Sequence, residues 1–180
     1  DSDLWEIIIL SLYVSISALI IASILGLLIG YYLALKKFLF KSFILIVLNS
    51  LMGIPPVVVG LIVYFMFASG GPLGVLQLLY TPTAMIIAQV IIIFPIVTSI
   101  SHEIFDQNWR EYKDQLRSIN MPFFGVAFII TKHSYFLVIT ALLSAFGRAI
   151  SEVGAVMIVG GNIDHFTRVM TTAISLETRM

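Results

Sequence analysis

Cysteine is absent from the chain. That excludes disulfides, thiolate catalysis and zinc or iron–sulfur sites built on sulfur. Charge is scarce as well: Asp, Glu, Lys and Arg make up 11% of the 180 residues, against roughly 25% in soluble domains. None of the four occurs from Ile7 to Leu35 or from Ser42 to His102. Each run is longer than the roughly 18 apolar residues that mark a membrane-spanning helix. There is no glycine-rich nucleotide loop of the P-loop kind, and the formal net charge is zero. A soluble enzyme, a disordered chain and a nucleic-acid binder are thereby excluded. What is present is apolar, 59% hydrophobic with a mean hydropathy of +1.05. This is the composition of a polytopic membrane protein.

Four spans are expected, at about 4–35, 43–67, 83–100 and 135–160. Asp1, Asp3 and Glu6 precede the first run, where a signal peptide would carry basic residues, so the run reads as a retained span. Lys36, Lys37 and Lys41 follow the first span, and Arg110, Lys113, Arg117 and Lys132 lie between the third and fourth. By the positive-inside rule both segments are cytoplasmic and the N-terminus is outside. The tail from Thr167 carries Arg168, Glu177 and Arg179 and is no span. The chain starts at Asp1 without Met and stops at Met180, so a further C-terminal span is expected beyond it.

Four features stand out inside the spans. Ala18, Ala22, Gly26, Gly30 and Ala34 form a four-residue stripe of small side chains, which lets helix backbones approach closely within a subunit or across a dimer. The second span contains Asn49, Ser50, Gly53, Pro55 and Pro56; two consecutive prolines must bend or break the helix. Such irregular backbone is tolerated at membrane depth where it is packed in protein or lines a wet path, and both readings stay open. Pro95 is expected to bend the third span, with Thr98 and Ser99 a turn later and Gln89 adding one intramembrane amide. Arg148 and Glu152, four apart in the fourth span, are the only charges deep within a span. They read either as a cation awaiting an anion or as a structural ion pair and gate strut.

Between the third and fourth spans, Trp109, Tyr112, Leu116 and Ile119 follow a 3-4-3 spacing that places them on one face of a short helix over about 106–120. Asp106 suits its N-cap and Asn120 the left-handed turn that ends it; Met121-Pro122 opens a new segment. Acids and bases balance on this helix, which favours docking into a protein groove over lying on lipid. His102, Glu103 and Asp106 read as a solvated loop rather than a metal site.

The order of these features resembles the membrane subunit of type I ABC importers, nearest to the tungstate, molybdate and sulfate permeases. The likeness is carried by Gly53-Ile54-Pro55-Pro56-Val57-Val58-Val59-Gly60, by Gly71-Pro72-Leu73-Gly74, and by Ala145 to Ala155 with its Arg-Ala-x-x-Glu-x-Gly-Ala core. Met157 to Asn162 followed by Thr167 to Ile174 is most like the tungstate type. The family's coupling helix carries a Glu-Ala-Ala run with a Gly six positions after the Glu. Here the run becomes Asp114-Gln115-Leu116 and the Gly becomes Asn120, so the acid and the turn position are kept in kind and both alanines are lost.

The resemblance implies a single all-α transmembrane domain over 1–180 of the type I importer fold. It implies a permease with no catalytic site or cofactor of its own, in the cell membrane. The partners it implies are a second copy, two ABC ATPase subunits that carry ATP and Mg, and an external solute-binding protein. ATPase coupling falls to Trp109, Tyr112, Asp114, Gln115, Leu116, Ile119 and Asn120. The pathway or gate falls to Pro55, Pro56, Thr98, Arg148 and Glu152. An autonomous channel would need no docking helix. An intramembrane enzyme would need a cluster of acids or histidines at one depth, and the spans offer only Arg148 and Glu152.

Overall fold

Apolar runs in a medium without water must satisfy their own backbone polar groups, and helices do so within one segment. The computed structural model describes residues 2–178, and all regular structure there is helical. Eight α-helices follow in order: α1 Ser2–Leu35, α2 Lys41–Met52, α3 Pro56–Phe67, α4 Pro82–Ser118, α5 Phe123–His133, α6 Tyr135–Ile150, α7 Gly154–Gly160 and α8 Met170–Glu177. Asp1, Arg179 and Met180, with the expectations attached to the chain ends, lie outside the described residues, as do the side chains of Ser2, Arg117 and Phe123.

The longest helices, α1 and α4, pack along each other and form the spine. The small-residue stripe is the reason they can. Ala18 and Ala22 are fully buried. A Cβ on Gly26 would stand 2.8 Å from Val97 Cγ1, and one on Gly30 would strike the Ser101 hydroxyl. Ser101 donates to the carbonyl of Val97 at 2.6 Å and faces that of Gly26 at 3.3 Å. The stripe is thus occupied by a helix of the same chain. Around it Val59, Val63, Ala88, Ile93, Val97, Ala145, Ala149 and Val159 form the main apolar core.

Two expectations about helix boundaries are corrected. The helix of the third span does not end near Ile100: α4 is a single helix of 37 residues that continues through Pro95 into the charged segment. At 1.5 Å per residue that is about 55 Å, far more than the roughly 30 Å of hydrocarbon it can cross. Its charged end therefore projects from the membrane as part of a rigid rod. Asp106 is mid-helix rather than an N-cap, and His102 and Glu103 are helical rather than in a loop. The fourth span, drawn as one helix over 135–160, is two helices, α6 and α7, separated at Ser151–Val153. The segment expected to couple, 106–120, is accordingly the end of α4 and the turn at Asn120 (φ 48°), after which α5 begins. The axes of α5 and α6 differ by 79°.

Candidate functional site

The site is built where two interrupted spans meet. The first interruption is written in proline. Gly53 and Ile54 close the last turn of α2 with i→i−3 bonds to Ser50 and Leu51 at 3.1 and 3.2 Å. Pro55 is extended (ψ 129°), and Pro56 occupies the first turn of α3, where its missing N–H costs nothing. The two halves turn by 100°, far beyond a simple kink.

The second interruption has no proline. Side chains hold it instead, from three directions. Glu152 is 6% exposed, and its Oε1 accepts the Ala155 N–H at 3.3 Å, satisfying one orphan donor at the start of α7. Gln89 of α4 donates through Nε2 to the Ala149 carbonyl at 3.0 Å, in the last turn of α6. Thr171 of α8 donates to the Glu152 carbonyl at 2.9 Å, and the Ser11 hydroxyl of α1 accepts the Met170 N–H at 2.7 Å. Ser151 turns its hydroxyl back to the Arg148 carbonyl at 3.1 Å, a local competitor with helix continuation. Arg148 reaches Glu152 Oε2 at 3.7 Å, with its side chain 42% exposed. The contact is long, and the guanidinium keeps most of its donors for other groups.

The two breaks lie against each other. A Cβ on Gly60 of α3 would stand 2.7 Å from the Ala155 Cα of α7, and one on Gly154 would stand 2.6 Å from Val57 Cγ2. Beside them is a cavity of about 320 Å³ lined by Leu51, Met52, Ile54, Val59, residues of α4 around Pro95, and Arg148. Ile54, from the first break, and Arg148, next to the second, face the same space. Met52 also borders a second, more polar cavity of about 580 Å³ with Asn49, Ser99, His102, Glu103 and Arg110. Thr98 is not in this group. It is fully buried, donates to the Phe94 carbonyl at 2.7 Å and packs near Gly26 on the α1 side of α4.

The predicted coupling residues divide. Leu116 is 7% exposed and belongs, with Trp109 and Tyr112, to an apolar cluster completed by Tyr31, Ala34, Val126 and Ile130. Their face is therefore turned to α1 and α5, not offered whole to a partner. The Tyr112 hydroxyl meets His133 Nε2 at 2.9 Å, bracing α4 on α5. Asp114, Gln115, Ile119 and Asn120 are exposed. Trp109, Leu116, Asn120, Met121 and Val126 border a cleft of about 290 Å³ where α4 turns into α5. Asp106 pairs with Arg110 at 2.7 Å and with Lys41 at 3.4 Å, which ties the start of α2 to α4. No group of His, Asp and Glu able to hold a metal occurs among the described residues.

On the opposite end of the molecule, His165 Nδ1 lies 2.9 Å from Glu6 Oε2. The hydrogen bond to Glu6, helped by Asp164, raises the imidazole above its ordinary value.

The family described as the inner membrane component of binding-protein-dependent transport systems matches residues 22–179. A probable anion ABC transporter permease of Haloferax volcanii is 40% identical over 174 residues, covering 94% of this chain and 75% of that protein. The tungstate uptake system permease TupB of Peptoclostridium acidaminophilum is 39% identical over 180 residues, all of this chain and 79% of that protein. Its namesake from Campylobacter jejuni is 37% identical over 142 residues, 79% of this chain and 59% of that protein. With its continuous α4 and paired helix breaks, this chain belongs to the inner membrane components of binding-protein-dependent transport systems, the permeases of type I ABC importers.

Proposed function

We propose that the chain is the permease through which an ABC importer brings tungstate into the cytoplasm, with the two helix breaks as its gate. The substrate reading rests on the likeness to two permeases named for tungstate uptake and one for anions. The observation that carries the gate is the abutment of the breaks, with Arg148 facing the cavity beside them. A gate needs backbone that can change direction, and the regular helical ladder is interrupted at both breaks: Pro55 and Pro56 have no N–H to give, and the Ala155 N–H is taken by the Glu152 side chain. Arg148 supplies a positive field for a tetrahedral oxyanion. Glu152 lies near enough to limit that field, so the anion is attracted without being trapped. Pro55 and Pro56 set the shape of one lip, and Glu152 that of the other.

The working unit in this reading is two copies of the chain, two ATPase subunits that bind ATP and Mg, and an external binding protein. The chain carries no catalytic site of its own. Its N-terminus is outside, which puts the lysine-bearing loop and the end of α4 on the cytoplasmic side. The exposed Asp114, Gln115, Ile119 and Asn120, with the cleft beside Trp109, then meet the ATPase. Because α4 runs unbroken from the cavity to that contact, a push at its end is delivered directly to the gate.

The test is uptake by the assembled transporter in proteoliposomes loaded with ATP. Tungstate uptake that needs the binding protein and ATP, and that excess sulfate or phosphate does not suppress, supports the proposal. Selective uptake of another anion overturns the tungstate assignment, and uptake without ATP would make the protein a channel.

A further inference from the structure

Gln89 is 4% exposed, and only half of its amide is satisfied. Its Nε2 donates to the Ala149 carbonyl at 3.0 Å, whereas no described group donates to its Oε1. Exchanging the two amide atoms would set one carbonyl oxygen against another, so the orientation is fixed by the bond it makes. A buried amide oxygen without a donor is costly, and native proteins rarely leave one so. Gln89 borders a small cavity of about 10 Å³, together with Ser11, Ser15, Glu152 and Thr171. Ser11, Ser15 and Glu152 are themselves at least nine-tenths buried. That volume is about what one water molecule requires, and nothing larger fits. The polar partners are also those a water needs. The Ser11 hydroxyl already accepts from the Met170 N–H and keeps its own hydrogen to give, Ser15 adds a second hydroxyl, and Gln89 Oε1 is an open acceptor.

We propose that this cavity is a binding site for a single structural water, which donates to Gln89 Oε1 and accepts from the Ser15 hydroxyl of α1. The water joins α1 to α4 at the level where Gln89 holds α6 and where Thr171 of α8 holds the break. With the bonds from Gln89 to Ala149 and from Met170 to Ser11, the water ties α1, α4, α6 and α8 together beside the second break. Gln89 is its positioning residue: one end of the amide fixes α6, and the other fixes the water.

The experiment uses the intact transporter and compares thermal unfolding midpoints of Gln89→Met, Ser15→Ala and the double variant. If water is the link, Gln89→Met removes it, and Ser15→Ala then costs nothing further. The double variant is expected to shift by the same amount as Gln89→Met alone. Shifts of the two single variants that add in full overturn the proposal. A wild-type structure resolving other buried waters gives an independent reading, free of any folding defect in the variants. Density within about 3.2 Å of Gln89 Oε1 is expected, and an empty cavity there overturns the proposal.

Discussion

Gly60→Ala separates packing at the paired breaks from helix propensity, because an equivalent substitution elsewhere provides the reference. The added Cβ would stand 2.7 Å from the backbone Cα of Ala155, while ordinary contact begins at 3.4 Å. The obstacle is main chain, which cannot rotate away, so α3 and α7 must part by about 0.7 Å. Overpacking of this kind costs about 1–3 kcal/mol, set against about 1 kcal/mol gained by replacing helical Gly with Ala. Gly147→Ala gains the same propensity in α6, and nothing lies within 4 Å of its Cβ. Stability of the purified chain, read by denaturant or thermal unfolding in detergent, should therefore be about 1–3 kcal/mol lower for Gly60→Ala than for Gly147→Ala. In the transporter, the displaced lips should raise ATP hydrolysis in the absence of binding protein. Equal stability of the two variants would refute the close abutment of the breaks.

Thr171→Val removes the donor to the Glu152 carbonyl at 2.9 Å and should cost about 1–3 kcal/mol by leaving that group unpaired, measured by the same unfolding assay. Leu116→Ala should destabilise the fold by about 2–5 kcal/mol because Leu116 is buried between α4 and α5. Ile119→Glu, on an exposed side chain, should leave the midpoint unchanged and weaken ATPase binding in pull-down. The His165–Glu6 contact should depend on pH. Since the His165 value is raised when folded, its stabilisation is complete below the unfolded value near 6.5 and lost as pH rises through the folded value above it. The His165 ring resonances should titrate above that of a free histidine, and Glu6→Gln should bring the titration back down.

The sequence made the gross architecture legible because bilayer physics acts on single residues: uncharged runs, clustered lysines and the consecutive Pro55 and Pro56 each have a local meaning. The small-residue stripe on α1 was readable for the same reason, though only the structure shows α4 filling it. The break at Ser151–Val153 was harder to see. It contains no helix-breaking residue, and besides Glu152 the groups that hold it are distant in sequence: Gln89, sixty positions before Ala149, and Thr171, nineteen after Glu152. The clustering of Ser151, Glu152 and Gly154 was the one local sign of it. A separate coupling helix starting at Asp106 rests on the suitability of that residue as an N-cap, but the helical period does not pause there and α4 runs through it. Polarity one turn after Pro95 points Thr98 to the gate, whereas a threonine that bonds its own helix carbonyl can be fully buried between helices.

The absence of cysteine from these 180 residues allows the central claim, that the paired breaks open and close with the ATPase cycle, to be tested directly. Ile54→Cys places one thiol in the first break, facing the cavity shared with Arg148. Its rate of modification by a water-soluble, membrane-impermeant reagent would be measured in the transporter at rest and with the ATPases trapped in their ATP-bound state. The account predicts that the rate from the external side rises severalfold in the trapped state. An identical rate in both states, from a variant that still transports, would contradict it.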